Sequence, residues 1–404
     1  MATVVLLGTL DTKGKEYGYL RDRLLEQGVD VVFVDAGVFE PQMGADVTQD
    51  EVAAAGGGDI GALREAGDRG AAVETMCRGA AAVAKRLHEE GRLDGILTVG
   101  GSGNSSIGAA AVRALPVGVP KLIVSTVASG DTRPYVGATD VSMTYSVVDI
   151  SGLNRISERI LSNAAGAITG MAKVSVPESD GARPLIGATM FGVTTPAVTR
   201  ARERLEELGY EVLVFHATGT GGQSMEALAG GGFLAGVLDL TTTELADELV
   251  GGVLSSGPDR LETAGEIGLP QVVSLGALDM VNFGPRETLP PQFESRNIYV
   301  HNPTVTLMRT TPEECAELGK QIARKLSAAK GPTALFVPLK GVSMIATEGG
   351  PFHDAAADEA LFAAIRDGVG DNVELHELDL DVNDPAFADA MANRLHELIQ
   401  ERAS

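Results

Sequence analysis

The chain has 404 residues, and at about 100–200 residues per domain that length predicts two to three domains. Apolar residues make up 44% and charged residues 22%, enough to bury cores, which excludes disorder for most of the chain. Lys and Arg number 32 against 55 Asp and Glu, and the resulting charge of −23 disfavours nucleic-acid and membrane-surface partners. Small anions remain open to it, because helix N-terminal amides attract phosphate whatever the net charge.

In chain order, Met1-Ala2-Thr3 runs straight into an apolar strand with no basic leader. Strands are expected at 4–8, 31–35, 95–99, 121–125 and 141–147. Helices are expected at 17–27 and 78–90, each stopped by a glycine (Gly28, Gly91) suited to a left-handed cap. Residues 151–173 read as one long helix, with Leu153, Ile156, Ile160, Leu161, Ala164 and Ile168 at three- and four-residue spacings. Val176-Pro177-Glu178-Ser179-Asp180-Gly181 breaks it and sets the expected boundary between domains 1–178 and 179–404. Strand candidates then recur at 185–189, 211–215, 236–239, 271–275, 297–300, 333–337 and 373–378. The alternation is that of an α/β protein with mainly parallel sheets. Segments starting at Leu6 and Leu185 share one pattern of strand, polar loop, amphipathic helix, glycine and strand, which points to common architecture. Cys77 and Cys315 lie far apart in helical stretches, and no run of about 18 apolar residues occurs, so a cytoplasmic, reduced protein is expected.

Chemistry concentrates in polar loops after strands. GTLDTKGKE (8–16) offers backbone amides, Thr9, Thr12 and Lys13 for phosphate, and Asp11 for Mg²⁺. It is not a Walker A loop, since five residues separate Gly8 from Gly14 and Glu16 replaces Ser or Thr; a plain capped turn fits it as well. Asp35, 21 residues beyond Gly14, stands where an acidic side chain meets a ribose hydroxyl or forms a turn. VGGSGNSS (99–106) is the strongest signal: Gly100, Gly101 and Gly103 let the backbone approach a ligand, and Ser102, Asn104, Ser105 and Ser106 add polar groups. Its GxGxxxxG spacing departs from the dinucleotide fingerprint, which weakens an NAD-dependent oxidoreductase reading. Thr126 and Asp131 follow the fourth strand, Asp131 as a second Mg²⁺ candidate or a surface ion pair. In the second half, 218–224 is either a glycine turn or a loop facing the first half across a cleft, and His216 and His301 read as partly buried structural histidines. Thr311 and Glu314 have capping-box spacing; Arg309 before them is a candidate anion clamp or a surface arginine. Lys340, Ser343 and His353 are cleft-lining candidates.

GTLDTKGKE, VGGSGNSS, HNPTVTLMRTTPEE and PLKGVSMIATEGGPFHDAAAD, in this order, resemble the ATP-binding domain at the N-terminus of the plant tomato mosaic resistance protein and in stand-alone microbial homologues. The resemblance covers essentially the whole chain. It implies two Rossmann-like subdomains with a cleft between them, an ATP site, and a homodimer or higher homo-oligomer. It places Thr9, Asp11, Thr12, Lys13 and Gly100 to Asn104 around the nucleotide and makes 301–310 a cleft feature. The plant proteins' further barrel-like half is missing here, so their antiviral partner binding does not transfer. The leading expectation is an ATP- and Mg²⁺-binding protein that transfers a phosphoryl or adenylyl group to a small metabolite, with Lys13, Asp131 and Arg309 as candidate catalytic residues. The alternative is a non-catalytic nucleotide sensor or interaction module.

Overall fold

The computed structural model describes residues 1–175 and 181–403, so residues 176–180 of the expected breaker lie outside the described residues. The chain divides into two compact units, Met1–Glu178 and Ser179–Ser404.

In unit 1, β1 (Thr3–Gly8) leads into α1 (Leu10–Glu26) and β2 (Asp30–Asp35). Then come α2 (Gln49–Ala55), α3 (Ile60–Ala66), α4 (Arg69–Glu89), β3 (Gly95–Gly100) and α5 (Ser102–Arg113). β4 (Lys121–Ser125), α6 (Arg133–Val136), β5 (Ser142–Tyr145) and α7 (Arg155–Ala172) complete it. All five strands are parallel, in the order β2-β1-β3-β4-β5. Alternate residues of each strand feed opposite faces, as the strand period requires. Val4 and Leu6 join Leu20, Leu24, Leu161 and Ile168 on the α1/α7 side. Val5 and Leu7 join Met76, Val83, Leu87 and Val112 on the α4/α5 side.

Three helices start earlier than the sequence suggests (17, 78 and, for the helix after VGGSGNSS, 109), and the early turns of α1 and α5 are made of residues that resemble loop. α1 begins at Leu10, with Lys13 (φ −124°, ψ 18°) as a kink inside it. α4 begins at Arg69 because Asp68 accepts from the Gly70 and Ala71 amides. The SGNSS run is itself the first turn of α5. Glycine and serine are poor helix formers, so packing against the sheet, not propensity, winds these turns. α7 starts later, at Arg155, where Asn154 and Ser157 form a capping box. Gly28 (φ 70°) and Gly91 (φ 67°) close α1 and α4 in the left-handed conformation, as expected.

Unit 2 runs β6 (Leu185–Met190), α8 (Thr195–Glu207), β7 (Glu211–His216), α9 (Thr220–Gly230), β8 (Gly236–Thr241), α10 (Glu244–Val250) and α11 (Thr263–Glu266). It continues through β9 (Gln271–Gly276), β10 (Met280–Phe283), β11 (Ile298–Asn302), β12 (Val305–Arg309) and α12 (Pro312–Ser327). It ends with β13 (Thr333–Pro338), α13 (Ala355–Gly368), β14 (Val373–Leu378) and α14 (Pro385–Ala403). Its main sheet is parallel, in the order β14-β13-β9-β8-β6-β7, the unit 1 order with one strand added. The stretch 301–310, expected as a cleft feature, forms the end of the first strand, the turn and the second strand of an antiparallel hairpin, in a small sheet β10-β12-β11. Among the described residues no helix is long and apolar enough to cross a membrane.

Candidate functional site

In unit 1 the chain leaves β1 toward β2 on one side, and leaves β3 toward β4 on the other. The carboxyl ends of β1 and β3 therefore part, and an open α/β sheet binds ligands at such a point. The pairing stops at Leu7↔Thr98. Beyond it Tyr17 of α1 bridges the gap: its hydroxyl donates to Leu7 O (2.6 Å) and accepts from Val99 N–H (2.9 Å) and Asn104 Nδ2 (3.2 Å). Burial pushes the Tyr17 phenol up to about 12, so it stays a neutral strut. Gly8 is glycine because a Cβ there would stand 1.9 Å from the Tyr17 oxygen.

Above the strut lies a cavity of about 610 Å³, within the range of small-molecule sites. The turns after β1 (Thr9, Asp11, Thr12, Lys13) and β3 (Gly101 to Asn104) both reach it, with Asp149 from beyond β5. Its apolar wall is Val38, Phe39, Leu63, Val73, Met76 and Ile107. Phe39 is 65% exposed there.

The α5 start carries the site's free donors. Gly101 is its N-cap and no side chain caps it, so the Ser102, Gly103 and Asn104 amides lack intrahelical acceptors. The glycines act here by close approach, since none of Gly100, Gly101 and Gly103 has a positive φ. A Cβ on Gly100 would press on Asn104 at 2.7 Å. Asn104 is 6% exposed; its Nδ2 donates to Val99 O (2.6 Å) and Thr98 Oγ1 (3.2 Å), while its Oδ1 has no partner. Ser105 is used internally against Ser125 (2.6 Å), and Ser106 donates to Ser102 O (3.0 Å).

The acids expected at the ligand serve the wall instead. Asp11 Oδ2 accepts from the Val38 and Phe39 amides (3.1 and 3.0 Å), and its Oδ1 is buried beneath Gly37 without a partner. Asp35 Oδ1 accepts from Leu10 and Gly37 (3.1 and 2.9 Å), and burial raises its pKa; it is thus spent on turns, not on a ribose. Arg64 donates to Val38 O, and Gln49, oriented to satisfy its neighbours, donates to Gly37 O and Phe39 O. Residues 36–39 are in this way held from both sides as a built wall. Lys13 lines the cavity, but its ammonium is bound to Ile150 O. The Thr9 and Thr12 hydroxyls bond each other at 3.0 Å.

Three further candidates lie outside the cavity lining. Thr126 stands beside the site, its amide donating to Gly100 O at 3.3 Å, but does not line the cavity. Asp131 lies off the cavity in an exposed pair with Arg133, whose hydrogen bonds bring its carboxyl down to about 2. Neither Asp11 nor Asp131 fits a Mg²⁺ ligand: one faces the chain's own amides, and the other is paired elsewhere. Arg309 is in unit 2 and 4% exposed, with every guanidinium nitrogen engaged by Asp358, Phe352 O or Thr310, so it has no free fork for a substrate.

Elsewhere in unit 2 the 218–224 turn holds an anion of its own. Glu244 Oε1 accepts from the Gly219 and Gly222 amides (2.7 and 3.1 Å), and its Oε2 accepts from fully buried Arg260 (2.7 Å). Arg260 also grips Asp239 through both its terminal nitrogens. Ser343 is buried and donates to Asp279 (2.8 Å); Lys340 pairs with Asp379 on the surface; His353 meets Ala346 O. His216 and His301 are exposed, not partly buried. Sequence reasoning passed over Tyr17, Phe39, Arg64 and Arg69. Only the polar tyrosine on the core face of a helix and the unpaired phenylalanine in a loop carried any signal.

Over 400 residues the chain is 54% identical to a UPF0261 protein of Clostridium tetani (strain Massachusetts / E88), covering 98% of this chain and 99% of that one. A UPF0261 protein of Rhizobium meliloti (strain 1021) is 47% identical over 392 residues, 96% of this chain and 97% of that one. The ToMV resistance protein Tm-1(GCR237) of Solanum lycopersicum is 44% identical over 318 residues, 77% of this chain and 42% of its own length. The models of the N-terminal and C-terminal domains of the uncharacterised protein family UPF0261 match residues 2–177 and 183–399, and the chain belongs to that family.

Proposed function

We propose that this protein binds ATP in the unit 1 cavity and transfers a phosphoryl or adenylyl group to a small metabolite. One observation carries the reading: uncapped amides of α5 and an apolar wall ending in exposed Phe39 meet in one cavity at the switch in strand order. A nucleotide presents that pair of chemistries, an anionic tail and a flat apolar base. The motif resemblance supplies the choice of ATP. Magnesium arrives with the triphosphate in this reading, and the exposed carboxylates of Asp68 and Asp149 line the cavity. The protein acts as a homodimer or higher homo-oligomer, which mass photometry checks.

Calorimetry with ATP and Mg²⁺ tests the reading on wild type and Gly101→Val. A Cβ at Gly101 meets only Thr126 Oγ1 at 3.8 Å, so the added methyls crowd the ligand's place and not the fold. Affinity should fall at least about tenfold, and equal affinities would remove the α5 start from the site. A second reading, a nucleotide sensor without turnover, is favoured by the engagement of Asp11 and Lys13 with the chain's own backbone. Mass spectrometry of ATP incubated with candidate metabolites separates the two.

A further inference from the structure

Arg69 opens α4 beside the cavity. It is exposed and lines the cavity, and among the described residues its side chain has no hydrogen-bond or ion-pair partner. A Cβ added at Gly103 would stand 3.7 Å from Arg69 Nη2, so this guanidinium lies against the first turn of α5. A cation at the first position of a helix opposes that helix's dipole, and here a second helix start faces it as well. Positive potential is therefore gathered where Arg69 and the uncapped α5 amides meet, while Asp68, which lines the same cavity, is turned onto the Gly70 and Ala71 amides. An independent feature adjoins it: the Oδ1 of Asn104, on a side chain 6% exposed, is an acceptor without a donor. A hydroxyl next to a phosphate, as on a ribose, has the chemistry to meet it.

The rival anion site fails on the same grounds. At the α1 start, Leu10 N–H donates to Asp35, the Thr12 and Lys13 amides donate to Thr9 O, and Asp11 adds a negative charge. Lys13 is turned to Ile150 O.

We propose that Arg69 and the first turn of α5 clamp the phosphates of the bound ligand, with the base directed to the Val38–Phe39 wall. This rests on the nucleotide reading above and gives the ligand a direction: its anionic end belongs to the turn after β3, not to the one after β1. Arg is suited to the task because its planar fork takes two phosphate oxygens at once.

The test is calorimetry of the full chain with ATP, inorganic tripolyphosphate and adenosine, on wild type, Arg69→Ala and Arg69→Lys. Arg69→Ala should weaken ATP and tripolyphosphate about ten- to hundredfold and adenosine less than about twofold, with Arg69→Lys in between. Urea midpoints of the variants should match wild type, because Arg69 is exposed and unpaired. If wild type binds ATP and Arg69→Ala binds it equally well, the clamp is refuted and the nucleotide reading survives. If wild type binds tripolyphosphate but not ATP, and Arg69→Ala abolishes it, the clamp stands and the nucleotide reading falls. If neither anion binds wild type, both fall.

Discussion

A carboxylate at the end of a parallel strand can spend its hydrogen bonds on a ligand or on the loop beside it. Asp11 and Asp35 spend them on the loop, holding the Gly37, Val38 and Phe39 amides. Glycines in the same region divide likewise into structural and ligand-facing positions. Gly8→Ala drives a methyl into Tyr17 and should cost about 1–3 kcal/mol in urea unfolding. Gly101→Ala should leave stability within about 0.5 kcal/mol, because its Cβ makes only an ordinary contact with Thr126 Oγ1 at 3.8 Å. In unit 2, burial raises Asp247 to about 7 and Asp279 to about 6, the latter against the opposing charge of Arg309. An unfolded Asp titrates near about 3.9. Between that value and 7 the native state holds more protons than the unfolded one, so these groups make stability fall as pH rises, levelling off above 7. Carboxyl-carbon NMR should show Asp247 titrating near 7. Asp247→Asn should flatten the pH 4–7 slope of the urea midpoint relative to wild type, and parallel slopes would contradict the assignment.

Both units repeat one strand order, yet they treat the gap at its switch differently. In unit 1 the β1/β3 gap is spanned by one tyrosine and opens into a cavity. In unit 2 the β6/β8 gap is filled by hydroxyls: Thr189 donates to Asp239 (2.7 Å) and accepts from Thr241 N–H (3.0 Å), and Thr241 meets Thr194 (2.8 Å), all buried. The nearby glycine turn at 218–224 already holds the Glu244 carboxylate. Arg260 bridges that carboxylate and Asp239 as their shared cation. Arg260→Met should therefore cost about 3–5 kcal/mol by leaving buried carboxylates without a cation. Its increase in amide exchange should centre on α9, α10 and β8. Strand and helix types were legible because alternating apolar runs and amphipathic stretches are local properties. The starts of α1, α4 and α5 were not, since Thr9–Lys13 and Ser102–Ser106 wind into helix only against the sheet. The β10–β12 pairing of Asn282 with Leu307 was hidden for a similar reason, its partners being far apart in sequence.

At the scale of the whole molecule, the charge of −23 opposes the approach of a triphosphate, while Arg69 and the α5 start attract it only nearby. The Debye length shrinks from about 30 Å at 0.01 M salt to about 8 Å at 0.15 M, which screens the long-range repulsion first. The ATP association rate should accordingly rise over that range of KCl. The chain has no tryptophan, so Phe39→Trp places a sole reporter on the cavity wall for stopped-flow fluorescence. A rate that falls with salt would mean that steering by the basic cluster dominates.

From residues alone came the α/β class, most of the parallel strands, the glycine stops of two helices, and the two turns that meet at the cavity. Those are set by short-range patterning and by the directions in which side chains alternate. Which side chains remain free for a ligand was decided by the folded chain. Asp11, Asp35, Lys13 and Arg309 are all candidates for binding in the sequence, and each is claimed by a partner that only folding brings within hydrogen-bonding distance. Arg69, anonymous in the sequence, is left unclaimed.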